Sequence, residues 1–273
     1  MRIQHFDIIN PALMPYISYY YLLSTDGDAA ASTYQAFPSP NNPVGFFYDC
    51  AVSILPRKAI VTKATGQGIQ EIVVGNAASP VQVVLQPGIT EFCIVFKPLG
   101  INHTQTIKMG ELLQHDFSAT NLFDDLHSAI KFIIDGGDGI ALLEEKLVNR
   151  LHETKELNSL LQIIELMSND ENGTVTKISK QLFLSYKKTY RMFMAHLGIS
   201  PVQFRSILKF RNAVTNGVQP VHHKKMSGIA IDSGYYDQAH LINQFKKIAH
   251  HTPKNFLSAI TLDSAGKLAW KFE

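Results

Sequence analysis

The sequence predicts an α+β protein in which a β-rich, barrel-like domain is followed by an all-α domain. Three observations lead to this prediction: short Val-, Ile- and Phe-rich segments up to about residue 108, helical periodicity after Gly110, and a helical unit that occurs twice near the C-terminus. The length of 273 residues is enough for two domains of ordinary size, and the hydrophobic content of 45% is typical of globular proteins with sizeable cores.

The first 110 residues predict the β-rich domain. Its strand-like stretches are FPSPNNPVGFFYDC, KAIVTKA, IQEIVVGN, PVQVVLQPG and ITEFCIVFKPLG, a spacing that favours an antiparallel barrel or sandwich. Cys50 and Cys93 lie inside such stretches, and two buried thiols fit a reducing cytoplasm better than a disulfide scaffold. The start, MRIQHFDIIN, lacks signal-peptide features and no apolar run is long enough to span a membrane. We therefore expect a cytoplasmic protein without membrane contact.

Residues 111–157 predict two amphipathic helices and a linker. The first helix is expected to bury Leu122, Leu126, Ala129, Ile130 and Ile133 and to end at Gly136 and Gly137. The second is expected to bury Ile140, Leu143, Leu147 and Leu151. The polar stretch HETKELNS, residues 152–159, is predicted as a linker. The helices either cover the barrel or pair with a second copy of the chain, so this region is interpreted as a dimerisation or linker segment and a homodimer stays open.

Residues 158–273 are predicted as helices only. Thr174 or Thr176, and then Ser185, are the expected N-caps of two short helices, because their side-chain oxygens can accept the first free N–H groups of a helix. The second of these helices is expected to end at Gly198, after which Pro201 opens a long helix.

Part of this helical region is duplicated. The pairs separated by 52 positions are Ser185 and Asp237, Phe193 and Phe245, Pro201 and Pro253, and Phe204 and Phe256. Ile178 and Ile229 are separated by 51, so the second copy has one additional residue, near Gly234, where a turn can absorb it. Each copy predicts a helix, a tight turn, a capped helix and a Pro-opened segment. This is the helix-turn-helix arrangement, whose second helix lies in the major groove of DNA.

The charge distribution supports a polyanionic partner for this half of the chain. Residues 1–157 carry 10 basic and 16 acidic side chains, a net charge of −6, whereas residues 158–273 carry 15 and 7, a net charge of +8. A basic half joined to an acidic half favours a nucleic-acid-binding module attached to a domain that does not touch the nucleic acid. The alternative is a solvated basic surface without a partner.

Candidate DNA-binding residues lie opposite the apolar stripes of the two capped helices. Thr189, Phe193, His196 and Leu197 are expected to face inward in the first helix, and Leu241, Phe245 and Ile248 in the second. Amide, guanidinium and small apolar side chains contact base edges, whereas lysines, including those in the run from His222 to Lys225, suit phosphates. The candidates are Lys187, Lys188, Tyr190, Arg191, Met194, Lys225, Gln238, Ala239, His240, Asn243 and Lys246.

The stretch from Leu160 to Ser258 resembles the DNA-binding domain of the AraC/XylS family of bacterial transcription regulators. The resemblance is carried by Ile229-Ala230, GYYDQAHLINQFKK and TPKNF, and by YRMF and LGISPVQF in the first copy. It implies two helix-turn-helix units joined by a long helix, double-stranded DNA and RNA polymerase as partners, and no catalysed reaction. NPALMPYISYYYLL and PGITEFCIVFKPLGINH resemble the barrel-like (cupin-like) regulatory domains that precede this module.

Four residues depart from the family pattern. Asn243 stands where many members have arginine, and His250 stands where the usual pattern has a helix-ending glycine. In the first copy Ser179 replaces a small alanine and Thr189 replaces an aliphatic residue. These departures do not change the predicted fold. They mean that the DNA sequence bound by the protein cannot be inferred from the family.

No pattern for catalysis, metal binding or phosphate-loop binding stands out in the sequence. The histidines of the N-terminal half do not cluster, and no glycine-rich loop or nucleophile elbow is recognisable. We therefore expect a cytoplasmic, nucleoid-associated transcription regulator without cofactor or metal, controlled by a small-molecule effector or a partner protein at its N-terminal domain. The alternative from another class is a metal-dependent barrel enzyme with an accessory DNA-binding domain.

Overall fold

The β-rich part of the protein consists of two sheets. The computed structural model describes residues 1–25, 27, 30–76, 78–169, 173–218, 225–260 and 271–272. Its strands are β1 (Arg2–Phe6), β2 (Ile17–Ser24), β3 (Ser32–Ala36), β4 (Asn42–Tyr48), β5 (Cys50–Leu55), β6 (Lys58–Lys63), β7 (Ile69–Val74), β8 (Val81–Leu85), β9 (Thr90–Phe96), β10 (Phe117–Thr120) and β11 (Lys271–Phe272). The first sheet has the order β1-β2-β9-β4-β7-β10, and the second has the order β11-β3-β8-β6-β5. All pairs are antiparallel except β6 and β8, which are parallel.

The first sheet is buried on both faces. Along β9, Cys93 and Val95 pack between the two sheets, whereas Phe92, Ile94 and Phe96 pack on the opposite face against helices. A strand that is buried on both sides needs a nearly continuous apolar sequence, which explains the run FCIVF. The result is a layered N-terminal half, with the second sheet, the first sheet and a helical layer in that order.

The helical layer consists of the segments that were predicted to be amphipathic. Its helices are α1 (Gly100–Thr104), α2 (Gly110–Leu113), α3 (His127–Ile134) and α4 (Ile140–Arg150). The stripes of α3 and α4 belong to the same core as the first sheet, so they cover that sheet within one chain. The prediction that α3 also contains Leu122 and Leu126 is wrong, although Leu126, which ends a short 3-10 turn (Asp124–Leu126), is buried as expected. The Glu71 carboxylate accepts the backbone N–H groups of Leu122 (3.0 Å) and Phe123 (2.9 Å) and holds them outside a helix.

The predicted linker is also largely helical. Helix α5 (Lys155–Asn169) begins inside HETKELNS, because Thr154 caps it by accepting the N–H of Leu157 at 3.1 Å. The prediction of a linker over residues 152–159 is therefore wrong for all but its first three residues. The short strand β10 likewise occupies a region predicted as helix or linker, where it pairs with β7.

The C-terminal half has two hydrophobic cores. After α5 its helices are α6 (Val175–Gln181), α7 (Tyr186–Leu197), α8 (Pro201–Val218), α9 (Met226–Asp232), α10 (Gln238–Ala249) and α11 (Pro253–Ala259). The first core lies among α5, α6 and α7, and the second lies among α9, α10 and α11. Helix α8 belongs to both, since Phe204 and Ile207 lie in the first core while Phe210 and Val214 lie in the second.

One element of this half is a strand. Strand β11 pairs with the edge strand β3, with Lys271 opposite Gln35 and Phe272 opposite Tyr34. The prediction of helices alone to residue 273 is therefore wrong, because an open sheet edge offers backbone hydrogen bonds that a local sequence pattern does not reveal. The α+β fold class itself, β-rich first and helical second, is confirmed. None of the described helices is long and apolar enough to span a membrane.

Candidate DNA-binding surface

The two helical repeats have the same backbone construction. Each begins with a short helix and turns on a residue in the left-handed region, Phe183 (φ 55°) in the first copy and Gly234 (φ 75°) in the second. Ser185 and Asp237 then cap α7 and α10, accepting N–H groups three residues further on at 3.2 and 2.7 Å. The turn and cap predicted from the 52-residue spacing are thus present in both copies.

Both capped helices also end in the same conformation. Gly198 follows α7 with φ 69°, and His250 follows α10 with φ 59°. The departure at His250 therefore leaves the left-handed helix end intact, although a residue with a Cβ is less favoured there than glycine.

The inner faces of α7 and α10 are buried as predicted. Phe193 and Leu197 in α7, and Leu241 and Phe245 in α10, have no solvent exposure. Thr189 is equally buried, and its hydroxyl lies 2.9 Å from the Ser179 hydroxyl. Ser179 also donates to the carbonyl of Val175 at 2.8 Å, which leaves it free to accept from Thr189. The two departures from the family pattern in the first copy are therefore one hydrogen-bonded pair.

The outer faces of α7 and α10 carry all the candidate DNA-binding residues except Lys225, which directly precedes α9. Ten of the eleven candidates are exposed: Lys187, Lys188, Tyr190, Arg191, Lys225, Gln238, Ala239, His240, Asn243 and Lys246. Met194 differs, because it is half-buried at the end of α7, where α2 packs. A Cβ atom on Gly110 of α2 would lie 2.0 Å from the Met194 carbonyl oxygen. His222, His223 and Lys224 lie outside the described residues.

The His240 side chain is exposed but already engaged. Its Nδ1 accepts the backbone N–H of Tyr236 at 3.4 Å, and its ring meets the Tyr235 ring edge-on at a centroid distance of 5.3 Å. This fixes Nε2 as the ring nitrogen that remains for a contact outside the protein. Around it, Gln238, Asn243 and Lys246 complete a polar outer face on α10.

Comparison with known proteins identifies this region. Residues 178–259 match the family model of a helix-turn-helix domain. This part of the chain is an AraC-type helix-turn-helix domain. An uncharacterised helix-turn-helix-type transcriptional regulator of Haemophilus influenzae is 22% identical over 121 residues, which are 44% of this chain. The match spans only 39% of that relative's length.

Solved structures give weaker likenesses over more of the chain. ToxT from Vibrio cholerae O395 has a TM-score of 0.48 and 12% identity, covering 88% of this chain and 95% of ToxT. ToxT of strain SCE256, bound to an unsaturated fatty acid, has a TM-score of 0.46 and 14% identity, covering 87% and 93%.

Two exposed aromatic side chains of the AraC-type domain were missed by the sequence analysis. Phe183 is 98% exposed in the turn before α7, and Tyr236 is 89% exposed in the turn before α10. Both lie within three residues of a helix N-terminus that carries candidate DNA-binding residues. An aromatic residue in the turn directly before a capped helix is the signal that would have found Tyr236. Phe183 lies between Leu182 and Leu184, so its exposure has no comparable sequence signal.

The AraC-type domain is docked on the N-terminal half through the end of α7. Asn76 donates its side-chain amide to the carbonyl of Leu197 at 2.7 Å, and Asn102 donates to the carbonyl of His196 at 3.0 Å. These carbonyls belong to the last turn of the helix and would otherwise lack partners. His196 Nε2 lies 2.8 Å from Glu156 Oε1, a hydrogen bond that lowers the pKa of Glu156.

A second contact docks the other helix-turn-helix unit. Arg211 of α8 donates to the backbone carbonyls of Phe37 and Pro38, both at 2.7 Å. Phe37 itself packs edge-on against Phe256 at a centroid distance of 4.6 Å and belongs to the second core of the domain. Burial lowers the pKa of Arg211 to about 10, which still leaves the guanidinium charged at neutral pH. Among the described residues, no group of three or more His, Cys, Asp or Glu is arranged to hold a metal ion.

Proposed function

We propose that this chain is a sequence-specific transcription regulator that binds double-stranded DNA through both helix-turn-helix units and catalyses no reaction. The observation that carries the proposal is the shared construction of α7 and α10. Each helix is capped, fills its own core with its inner face, and presents an outer face of polar, cationic and small side chains. A helix of this kind can place amide and guanidinium groups against base edges in the major groove.

The ten exposed candidates and Met194 have different proposed roles. Lys187, Tyr190, Arg191, Gln238, Ala239, His240 and Asn243 contact bases, and the half-buried Met194 does so only at the edge of the contact. Lys188, Lys225 and Lys246 contact phosphates, which adds affinity without sequence preference. The exposed rings of Phe183 and Tyr236 adjoin the same surface and contact the sugar–phosphate backbone.

The N-terminal half is proposed to regulate this DNA contact. It comprises the β-rich domain of residues 1–110 and the helices of residues 111–157. The β-rich domain contacts the first helix-turn-helix unit through Asn76 and Asn102, and the second through the Pro38 carbonyl that accepts from Arg211. An effector or partner that shifts this half therefore shifts α7 directly. A homodimer, contact with RNA polymerase and a cytoplasmic, nucleoid-associated location belong to the same proposal.

Selection of DNA from a random pool with the full chain tests the proposed function. We expect two blocks of preferred bases whose centres are separated by about 10 base pairs, one helical turn, because two linked units on one DNA face meet successive major grooves. Recovery of sequences without a shared motif, at an affinity that depends only on salt, would contradict sequence-specific binding. A single block of preferred bases would contradict the part of the proposal that gives both units a role.

A further inference from the structure

A small cavity lies between the two sheets of the N-terminal half. The first sheet contributes Gly45 and Phe117 to its lining and the second contributes Tyr34, Ala59 and Val83. Its volume of about 30 Å³ has room for roughly two water molecules. The lining is apolar or aromatic except for one carboxyl group, that of Glu91 on β9.

The Glu91 carboxyl lacks the partners that other buried carboxyls have. Glu91 is 4% exposed, its Oε1 lies 3.5 Å from the Tyr21 hydroxyl, and its Oε2 has no hydrogen-bond partner within the described part of the chain. Gly45 leaves the space that the carboxyl occupies, since a Cβ there would lie 2.5 Å from Oε1. A buried oxygen without a donor destabilises the fold, so its presence calls for an explanation.

Two other buried glutamates show what a structural carboxyl looks like in this protein. Glu71 accepts from the Thr120 hydroxyl and from the backbone N–H groups of Leu122 and Phe123. Glu144 accepts from the backbone N–H groups of Ile9 and Asn10 and from the Tyr20 hydroxyl. Each of these side chains ties separate segments together through three donors. Glu91 has one distant donor and faces a cavity, which is the arrangement of a binding group.

We propose that this cavity is the effector site of the regulator and takes a primary ammonium group that carries a short apolar chain. The inference rests on the proposed function, in which the N-terminal half regulates DNA binding. The ammonium donates to Glu91 Oε2, which supplies the missing donor, and the neighbouring rings of Tyr34 and Phe47 line the site of the positive charge. A carboxylate ligand would place a second negative charge beside Glu91 and is disfavoured.

The cavity also limits the size of the ligand. Its volume accommodates the ammonium group and about one or two carbon atoms. A longer chain has to extend past Val52 and Val74, the half-buried lining residues at the margin of the cavity. Methylammonium and ethylammonium are therefore suitable probes.

The raised pKa of Glu91 predicts that ligand binding releases a proton and depends on pH. Burial raises this pKa to about 8, so most molecules carry a protonated Glu91 at pH 7 in the absence of ligand. A bound cation favours the carboxylate and displaces the proton. Binding at pH 7 therefore releases nearly one proton, and affinity rises with pH up to about 8.

Thermal unfolding of the full chain with ethylammonium chloride tests the site. We expect ethylammonium to raise the unfolding temperature, whereas ethanol and sodium chloride at equal concentrations do not. Glu91→Gln should weaken the ethylammonium effect roughly tenfold or more, because glutamine cannot release a proton to form the carboxylate that binds the ammonium group. Glu145→Gln removes an exposed carboxylate from α4 and should leave the effect unchanged. An equal response of Glu91→Gln and wild type would overturn the proposal.

Two further measurements decide the question if Glu91→Gln fails to fold. Ala59→Val adds two methyl groups at the cavity lining while leaving Glu91 in place, and it should abolish ethylammonium binding. Calorimetric titration of the wild type in buffers of different ionisation enthalpy should show the proton release at pH 7. Undiminished binding by Ala59→Val, or binding without proton release, would overturn the proposal.

These experiments contain no DNA, so their outcome is independent of DNA selection. Ethylammonium binding without selected DNA motifs would contradict the proposed function and leave the cation site standing. Selected DNA motifs without ethylammonium binding would contradict the cation site and leave the proposed function standing.

Discussion

Single residues in this protein show how a buried polar group is tolerated. Ser179 and Thr189 satisfy one another inside the first helix-turn-helix unit, at positions where apolar side chains would serve. Glu71 and Glu144 each gather three donors. Glu91 does neither, and this difference in partners separates a structural polar group from a candidate binding group.

The Ser179–Thr189 pair predicts a strongly non-additive pair of substitutions. Ser179→Ala leaves the buried Thr189 hydroxyl without this partner and should cost about 1–3 kcal/mol of unfolding free energy. Thr189→Val should cost less, because the Ser179 hydroxyl keeps the Val175 carbonyl. The double variant should be more stable than Ser179→Ala alone. Denaturant unfolding measures all three, and additive losses would show that the two hydroxyls are not coupled.

Arg191 and Lys225 are expected to affect DNA binding differently. Arg191→Ala should cost about 1–3 kcal/mol on a selected site and relax the preference at one base position. Lys225→Ala should weaken binding to all sequences alike and reduce the salt slope by about 1. Titrations against selected and random DNA at several salt concentrations measure both effects. If Arg191→Ala weakens both DNAs equally, Arg191 contacts phosphate only.

Glu91 predicts a pH dependence of stability. Its pKa is about 8 in the folded protein and 4.5 in the absence of structure, so the folded state binds the proton more tightly. Its contribution to stability is fully present below pH 4.5 and is lost as pH rises to about 8, with a slope of at most about 1.4 kcal/mol per pH unit. Glu91→Gln removes this dependence. The stability of Glu91→Gln relative to wild type should therefore increase between pH 5 and 8, and a constant difference would contradict the assignment.

Among the secondary-structure elements, those set by local contacts were predictable from the sequence. Ser185 and Asp237 cap their helices by accepting N–H groups only three residues further along the chain. The 52-residue spacing then predicts the elements of the second copy from those of the first. The start of α3 was not predictable, because the Glu71 carboxylate that holds Leu122 lies 51 positions away. Strand β11 depends on an open edge at β3, which no local pattern reveals.

The candidate surface follows the same division. The outward positions of α7 and α10 follow from helical periodicity, and ten of the eleven candidates are exposed. Met194 satisfies the periodicity but is half-buried, because α2 of the other half packs at that end of α7. The contact between α2 and α7 forms only in the tertiary structure, so the periodicity of α7 alone cannot predict it. The roles of the candidates in binding DNA stay predictions.

Helix α8 predicts an effect of Arg211 on the docking of the second unit. Arg211→Ala removes two hydrogen bonds to the segment at Phe37 and Pro38, so this segment should exchange its backbone hydrogens several-fold faster. Arg211→Lys keeps the charge but lacks the planar donors and should give an intermediate rate. Hydrogen–deuterium exchange measures the difference. Unchanged exchange near Phe37 in Arg211→Ala would show that these bonds do not hold the interface.

In the whole molecule, the docking of α7 predicts a coupling between the two halves. Combining Asn76→Ala with Asn102→Ala removes both donors to the last carbonyls of α7 and should cost about 1 kcal/mol for each bond. We expect the unfolding temperature of the double variant to fall relative to wild type. Asn255→Ala, a change at an exposed asparagine of α11, serves as the control. A fall no larger than that of the control would show that the two amides do not stabilise the interface.

Helix α8 lies in the cores of both helix-turn-helix units, and its 18 residues extend over about 27 Å. The units therefore cannot adjust their separation independently. If both units bind one duplex, a base pair inserted between their contact sites rotates one site by about 35° relative to the other. Because α8 is continuous, the two units cannot rotate relative to each other to match this change. Natural target sites should accordingly accumulate base substitutions far more readily than insertions or deletions between the two contact blocks.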